Sequence, residues 1–292
     1  MDDRDWVILK QIAENKNITK AAENLFMSQP ALTYRIKSLE EEFGAKIFLR
    51  QPNGVLFTPQ GEYLLHYADE MLKRRQEVRE IVQNMGDDVQ GQLHLGSSAI
   101  YAHYELPPIL SAFLQQYPKV DIDLKTGLSL KVDKMLQQGE VPIAIIRGDY
   151  KWPEEKLLLF KEPLCLVYKQ PLAMENLPLT TQVDYMTDSS LKPLISDWWR
   201  EHFSKPPAKV MVVDSMDTCR QMVMHGLGWA ILPKVGLAEG GKKLYIKNLA
   251  WANGEPLIRK TWLMFTKKSL ELSTVRAFVE FMQEYYKNKS RD

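Results

Sequence analysis

Between Ile18 and Phe43, apolar residues recur at Ile18, Ala22 and Leu25, then at Met27, then at Leu32, Ile36, Leu39 and Phe43. Steps of three and four residues within each half are the period of a helix with one buried face. Thr19 is placed to cap the first helix. Ser28 is placed to cap the second, with Gln29 and Pro30 in its first turn, where the missing proline N–H costs little. Ala21 and Ala22 allow close approach of a neighbouring helix. Two helices joined this tightly form either an αα-hairpin in a core or a helix-turn-helix whose second helix enters the DNA major groove. The polar positions favour the second. Opposite Leu32, Ile36, Leu39 and Phe43 lie Pro30, Thr33, Tyr34, Lys37 and Glu41, with Gln29 and Arg35 on the flanks. Gln and Arg make bidentate contacts to base edges, Thr meets a base or a thymine methyl, and Lys reaches phosphate. The acidic run Glu40-Glu41-Glu42 is confined to the far end.

The pattern on either side is equally legible. Trp6, Leu9, Ile12 and Ala13 predict a first amphipathic helix. After Gly44 the period shortens: 46–50 and 55–57 read as short strands around Gln51-Pro52-Asn53-Gly54, and Asn-Gly is a strong hairpin signal. Thr58 then caps a helix opened by Pro59 that runs to about Met85 and stops at Gly86. Leu64, Ala68, Met71, Val78, Val82 and Met85 form a heptad seam broken by Arg75. At 1.5 Å per residue the helix spans about 40 Å, long enough to pair with a second subunit. From Val89 strands alternate with helices in a βαβαβ order that predicts a mostly parallel sheet, and a second α/β unit follows from about 157.

Composition adds bounds. Net charge is +1, from 38 basic and 37 acidic residues, so DNA binding would rest on a local surface and two copies rather than on overall charge. Cys165 and Cys219, 54 residues apart without a paired motif, read as core residues of a reduced cytoplasmic protein. No signal peptide or membrane span is recognisable. The five histidines lack metal-ligand spacing, and no nucleophile elbow, P-loop or dinucleotide fingerprint occurs, so neither enzyme nor cofactor is expected. Metal ligands and catalytic residues are accordingly none.

The run from Thr19 to Arg50, with AAE, SQPAL, Ile36-Lys37, Leu39-Glu40, the spaced Gly44, Lys46, Phe48 and Arg50, and a following TPQG, resembles the N-terminal domain of LysR-type transcriptional regulators. The likeness continues more weakly to the end of the chain. It implies an α/β protein with an N-terminal winged helix-turn-helix over 1–58, a dimerising linker helix over 59–88, and a two-lobed α/β effector-binding domain over 89–292 that is similar to periplasmic binding proteins. Lobe I takes 89–161 and 267–292, and lobe II takes 162–266. The implied partners are promoter DNA, a small-molecule effector held between the lobes, a second or further copies as homodimer or homotetramer, and RNA polymerase. The family usually carries a basic residue where this chain has Tyr34, and a wing arginine where it has Asn53.

Candidate DNA-binding residues are thus Thr19, Ser28, Gln29, Pro30, Thr33, Tyr34, Arg35, Lys37, Arg50 and Asn53. Ligands of open α/β sheets lie beyond the carboxyl ends of strands. That rule selects Ser97, Ser98, Thr126, Ser129 and Arg147, with Ser189 and Ser215 from the second lobe. Hydroxyls and helix N–H groups there suit an anion, though helix capping accounts for the serines equally well. The alternatives from other classes are a cytoplasmic small-molecule binding protein or an enzyme, either without a DNA-binding role.

Overall fold

The computed structural model describes residues 1–51, 54–83, 89–237 and 244–289. The chain divides into two compact units, Met1–Met85 and Gly86–Asp292.

In the first unit, α1 (Asp3–Asn15) begins with a capping box between Asp2 and Asp5 and ends at Lys16, which is left-handed. Helix α2 (Ile18–Asn24) is capped by Asn17, whose side chain accepts from Lys20 N–H, and Thr19 sits exposed inside the first turn. The cap therefore precedes the first apolar residue, Ile18, instead of following it as the sequence reading has it. The chain turns through Phe26 at φ 54° into α3 (Gln29–Phe43), which Ser28 caps and Gly44 closes. Leu32, Ile36 and Leu39 meet Ile8, Leu9, Ile12, Ala21 and Ala22 in one core. Phe43, expected on that stripe, is exposed at the helix end.

Strands β1 (Phe48–Gln51) and β2 (Gly54–Phe57) pair antiparallel with Gln51 opposite Gly54. Gly54 has φ +138°, and a Cβ there would lie 2.1 Å from the Lys16 carbonyl oxygen, so the hairpin needs glycine to lean on the α1–α2 joint. Val55 N–H donates to the same oxygen at 3.0 Å. Thr58 Oγ1 accepts from Gly61 N–H and opens α4 (Pro59–Gln83). Here the structure corrects the heptad seam. Leu64 and Ala68 are buried in the core of their own unit, and Lys10–Asp69 and Arg75–Asp3 ion pairs fasten α4 to α1. Met71 is half-buried, Val78 and Val82 are exposed, and Met85 lies outside the described residues.

The second unit runs β3 (Gly91–Ser98), α5 (Ala99–Tyr104), α6 (Leu106–Gln116), β4 (Val120–Gly127), α7 (Ser129–Gln137), β5 (Ile143–Arg147), β6 (Glu155–Tyr168), β7 (Thr181–Tyr185), α8 (Leu191–His202), β8 (Lys209–Val213), α9 (Met216–Met224), β9 (Ala230–Pro233), β10 (Tyr245–Asn248), β11 (Ile258–Phe265) and α10 (Ser273–Lys289). Strand β3 is parallel to β4 and β5, whereas β11 is antiparallel to both β5 and β6, so the sheet is mixed rather than mostly parallel. The segments 157–160 and 163–168, each apolar enough to read as a strand of its own, form one strand. Strand β6 pairs with β11 along its first part and with β9 and β10 along its second, and so carries the chain from lobe I into lobe II. Because Thr261 to Phe265 pair with Arg147 to Ile143, β11 belongs to the sheet of lobe I, not to lobe II as the 162–266 boundary places it. Lobe II has its own core around Trp198, Trp229, Cys165 and Cys219.

Candidate functional sites

On α3 the polar face stands clear of the core. Gln29, Pro30, Tyr34 and Lys37 are exposed and Thr33 is half-buried, with Gln29 Nε2 donating to Thr33 Oγ1 at 3.4 Å. Ser28 is occupied as the cap, its Oγ accepting from Ala31 N–H at 3.3 Å. Arg35, read from the sequence as a DNA contact, turns toward α1. Its Nε donates to Asp5 Oδ1 at 2.5 Å, and its Nη2 donates to Asp2 Oδ2 at 2.8 Å and Asp5 Oδ2 at 2.9 Å. The hydrogen bond from Arg35 to Asp5, more than its partial burial, decides the balance and holds the guanidinium above its usual range. Arg35 thus fixes the angle of α3 on α1. Arg50 stands on β1 opposite Val55, and Asn53 lies outside the described residues.

In the second unit a cavity of about 30 Å³ is lined from both lobes, by Ser98, Ser129, Arg147 and Arg259 on one side and Tyr185, Thr187 and Asp188 on the other. Of the serines and threonines selected from the sequence, Ser98 and Ser129 line it. Successive strand residues face opposite sides, so Ser97 beside Ser98 does not line the cavity, and its Oγ donates to the Ser98 carbonyl at 3.3 Å. Thr126 and Ser189 are exposed and outside the cavity. Ser215 caps α9 in lobe II, accepting from Thr218 N–H at 3.1 Å.

Arg147 is held by Glu162, whose second oxygen accepts from Val235 N–H at 2.8 Å. Arg259 is held by Asp188 across the lobes, and its Nη2 also donates to the Arg147 carbonyl at 3.3 Å. Asp188 is fixed in turn by Ser190 and Leu191 N–H, each at 3.1 Å. Burial would raise the Asp188 carboxyl, but Arg259 and the Ser190 hydrogen bonds outweigh it and hold it below the usual carboxylate range. Burial pulls the Arg147 guanidinium down, offset in part by Glu162 and aided by the like charge of Arg259.

The residues that sequence reasoning missed are Arg259, Glu162 and Tyr185, together with the role of Asp188. One signal was present: Arg259 stands in the otherwise largely apolar run from Leu257 to Phe265, and a charge buried in such a strand, as Arg259 is in β11, demands a partner. Among the described residues, no group of three or more His, Cys, Asp or Glu is placed to hold a metal ion.

The sequence matches the family model described as "Bacterial regulatory helix-turn-helix protein, lysR family" over residues 4–62, and the "LysR substrate binding domain" over residues 86–287. It is 41% identical over 283 residues to a protein of Bacillus subtilis strain 168 named uncharacterized HTH-type transcriptional regulator YraN, covering 97% of this chain and 98% of that one. It is 35% identical to the regulator YkuM of the same organism, over 95% of each chain. To the transcriptional activator IlvY of Salmonella typhimurium it is 28% identical, over 81% of this chain and 84% of that one. Among solved structures, full-length CbnR complexed with its target DNA superposes with TM-score 0.69 at 18% identity, covering 97% and 99% of the two chains. A full-length OxyR of Pseudomonas aeruginosa carrying one substitution gives 0.67 at 19% identity, covering 97% and 95%. These two share the fold.

Proposed function

Since the chain belongs to the LysR family of DNA-binding transcriptional regulators with an effector-binding domain, and is not an enzyme, we propose that α3 reads promoter DNA and that a small anionic metabolite held between the lobes of the second unit sets how tightly it does so. Gln29, Pro30, Thr33, Tyr34 and Lys37 face the major groove, and Arg50 lies by the phosphate backbone. The observation that supports this most directly is the exposed polar row on α3 beside an arginine that is already engaged by Asp2 and Asp5. The helix is oriented before it meets DNA, so less ordering is left to the complex. A homodimer is the DNA-binding unit, because the chain as a whole carries no basic excess.

The test is fluorescence anisotropy at fixed salt with the DNA upstream of the protein's own coding sequence. Gln29→Ala should cost about 1–3 kcal/mol and relax preference at one base pair, while Lys37→Ala should weaken all sequences alike and lower the salt slope. If Gln29→Ala leaves affinity and base preference unchanged, α3 does not read bases through this row.

A further inference from the structure

We propose that the ligand of the interlobe cavity is a compact oxyanion of a few heavy atoms, bridged by Arg147 and Arg259 together and completed by Ser98 and Tyr185. This deepens the functional reading above and rests on it for the site's regulatory meaning, though not for the chemistry.

Four side chains carry it. Arg147, Arg259, Ser98 and Tyr185 are each at least nine-tenths buried, at 1%, 3%, 4% and 4% exposure. Each has polar atoms without a hydrogen-bond partner: Nε and Nη1 of both arginines, Ser98 Oγ and Tyr185 OH. All four line the same cavity. Buried N–H and O–H groups are almost always paired, and a charged donor left unpaired is the costliest kind. Here the orphans are of one sort. Guanidinium nitrogens only donate, and a hydroxyl can donate, so what these unpartnered atoms call for is acceptors. A ligand rich in acceptor oxygens meets that need.

The two arginines lie close, since Arg259 donates to the backbone oxygen of Arg147. Their like charges repel, and an anion between them removes the repulsion. Neither can turn away to find water, because Glu162 and Asp188 each hold one nitrogen. Those carboxylates are themselves anchored, by Val235 N–H in one case and by Ser190 and Leu191 N–H in the other. Glu162 and Asp188 act as positioning residues that aim the remaining donors. Size supplies the limit. Sites for drug-sized ligands run to about 300–1,000 Å³, whereas this cavity has about 30 Å³, room on the order of one to a few waters. In the lobe arrangement seen here that leaves no room for an aromatic acid or a nucleotide and suits an ion such as sulfate, phosphate, bicarbonate or acetate.

Calorimetry and thermal shift on the full chain test this with a series of sodium salts at constant ionic strength: formate, acetate, bicarbonate, sulfate and phosphate, then glutarate and benzoate. At least one compact oxyanion should bind and raise the melting temperature, with glutarate and benzoate at least tenfold weaker. Arg259→Gln and Arg147→Gln should each lose tenfold or more. Because those changes strand a buried carboxylate, Ser98→Ala and Tyr185→Phe provide the second arm. Each removes an unpartnered hydroxyl, so the ligand-free melting temperature should stay the same or rise while anion affinity falls severalfold. Tighter binding of the larger acids, no binding by any compact oxyanion, or unchanged affinity in both hydroxyl variants overturns the inference. DNA affinity measured in parallel separates the two readings. An oxyanion that binds here without changing DNA affinity counts against the regulatory function alone. A DNA response to a large or neutral metabolite that survives Arg147→Gln and Arg259→Gln counts against the oxyanion site alone.

Discussion

Asp5 is fully buried and still carries a salt bridge: its two oxygens accept from Arg35 Nε and Nη2 while the same carboxylate closes the capping box of α1. One residue therefore sets both where the first helix begins and how α3 lies on it. Asp5→Ala should destabilise the first unit by about 1–3 kcal/mol, the cost of leaving a charged donor short of its acceptor in a part-buried place. Urea denaturation measures this, and a loss below about 0.5 kcal/mol would mean that Arg35 is held by Asp2 alone. The cysteines teach the opposite lesson about charge. Burial pushes the Cys165 thiol up to about 11 and the Cys219 thiol up to about 12, so neither is a thiolate near neutral pH and neither has the reactivity a redox sensor needs. Their place in the lobe II core matches the sequence reading of them as packing residues.

At the scale of elements, α4 shows what periodicity can and cannot tell. Its seven-residue repeat is real, but the first half of the seam is consumed by α1, because a single stripe cannot serve an intrachain core and a second subunit at once. The surface left for pairing is Val78 and Val82, joined by Tyr63 and Tyr67, which are exposed on α4 and which the heptad reading passed over. Charges at Val78 and Val82 should dissociate the dimer in sedimentation while the unit stays folded by circular dichroism. Ala68→Asp should instead unfold it. A Val78→Glu/Val82→Glu protein that remains dimeric would place the interface elsewhere. The same distinction explains the rest of the reading. Helices α1, α3 and α4 and the pairing of β1 with β2 were legible because local period, caps and Gly54 mark them. The long β6, the β11 crossing back to lobe I and the Arg259–Asp188 pair were not, since each is fixed by a partner distant in sequence: Ile258 opposite Pro163, Thr261 opposite Arg147, Arg259 against Asp188. Ser98 and Arg147 were found because strand ends converge by topology, and Thr126 was lost because convergence of strands does not say which way a side chain points.

Over the whole second unit, the buried Arg259–Asp188 pair ties the lobes at the cavity, and it makes the unit's stability depend on pH. Asp188 titrates below its ordinary value near 3.8, so the folded state binds its proton less readily than the unfolded chain does. Its contribution is therefore complete at neutral pH and is lost as pH falls through the depressed value. In urea titrations between pH 7 and 2, the stability gap between the parent and Asp188→Asn should be widest above about pH 5 and shrink on further acidification. A gap that is constant across this range would mean that Arg259 gains nothing from the charge on Asp188.

Regulation by this site requires linkage between an oxyanion in the second unit and DNA on the first. A ligand that touches both lobes prefers one lobe arrangement and shifts the population toward it. If that arrangement also differs in DNA affinity, the coupling should be about 1–3 kcal/mol, a factor of roughly 5–150. The sign is free, since activators and repressors use the same cycle in opposite directions, but the magnitude must be reciprocal. Anisotropy gives the ratio of DNA dissociation constants with and without saturating ligand, and calorimetry gives the ratio of ligand dissociation constants with and without saturating operator DNA. The two ratios should agree within error. In Tyr185→Phe the oxyanion needed for half-effect should rise while DNA affinity at full saturation stays that of the parent, because the hydroxyl acts on occupancy and not on the lobe arrangement itself. A ligand that saturates the cavity and leaves the DNA constant untouched would sever the site from the switch.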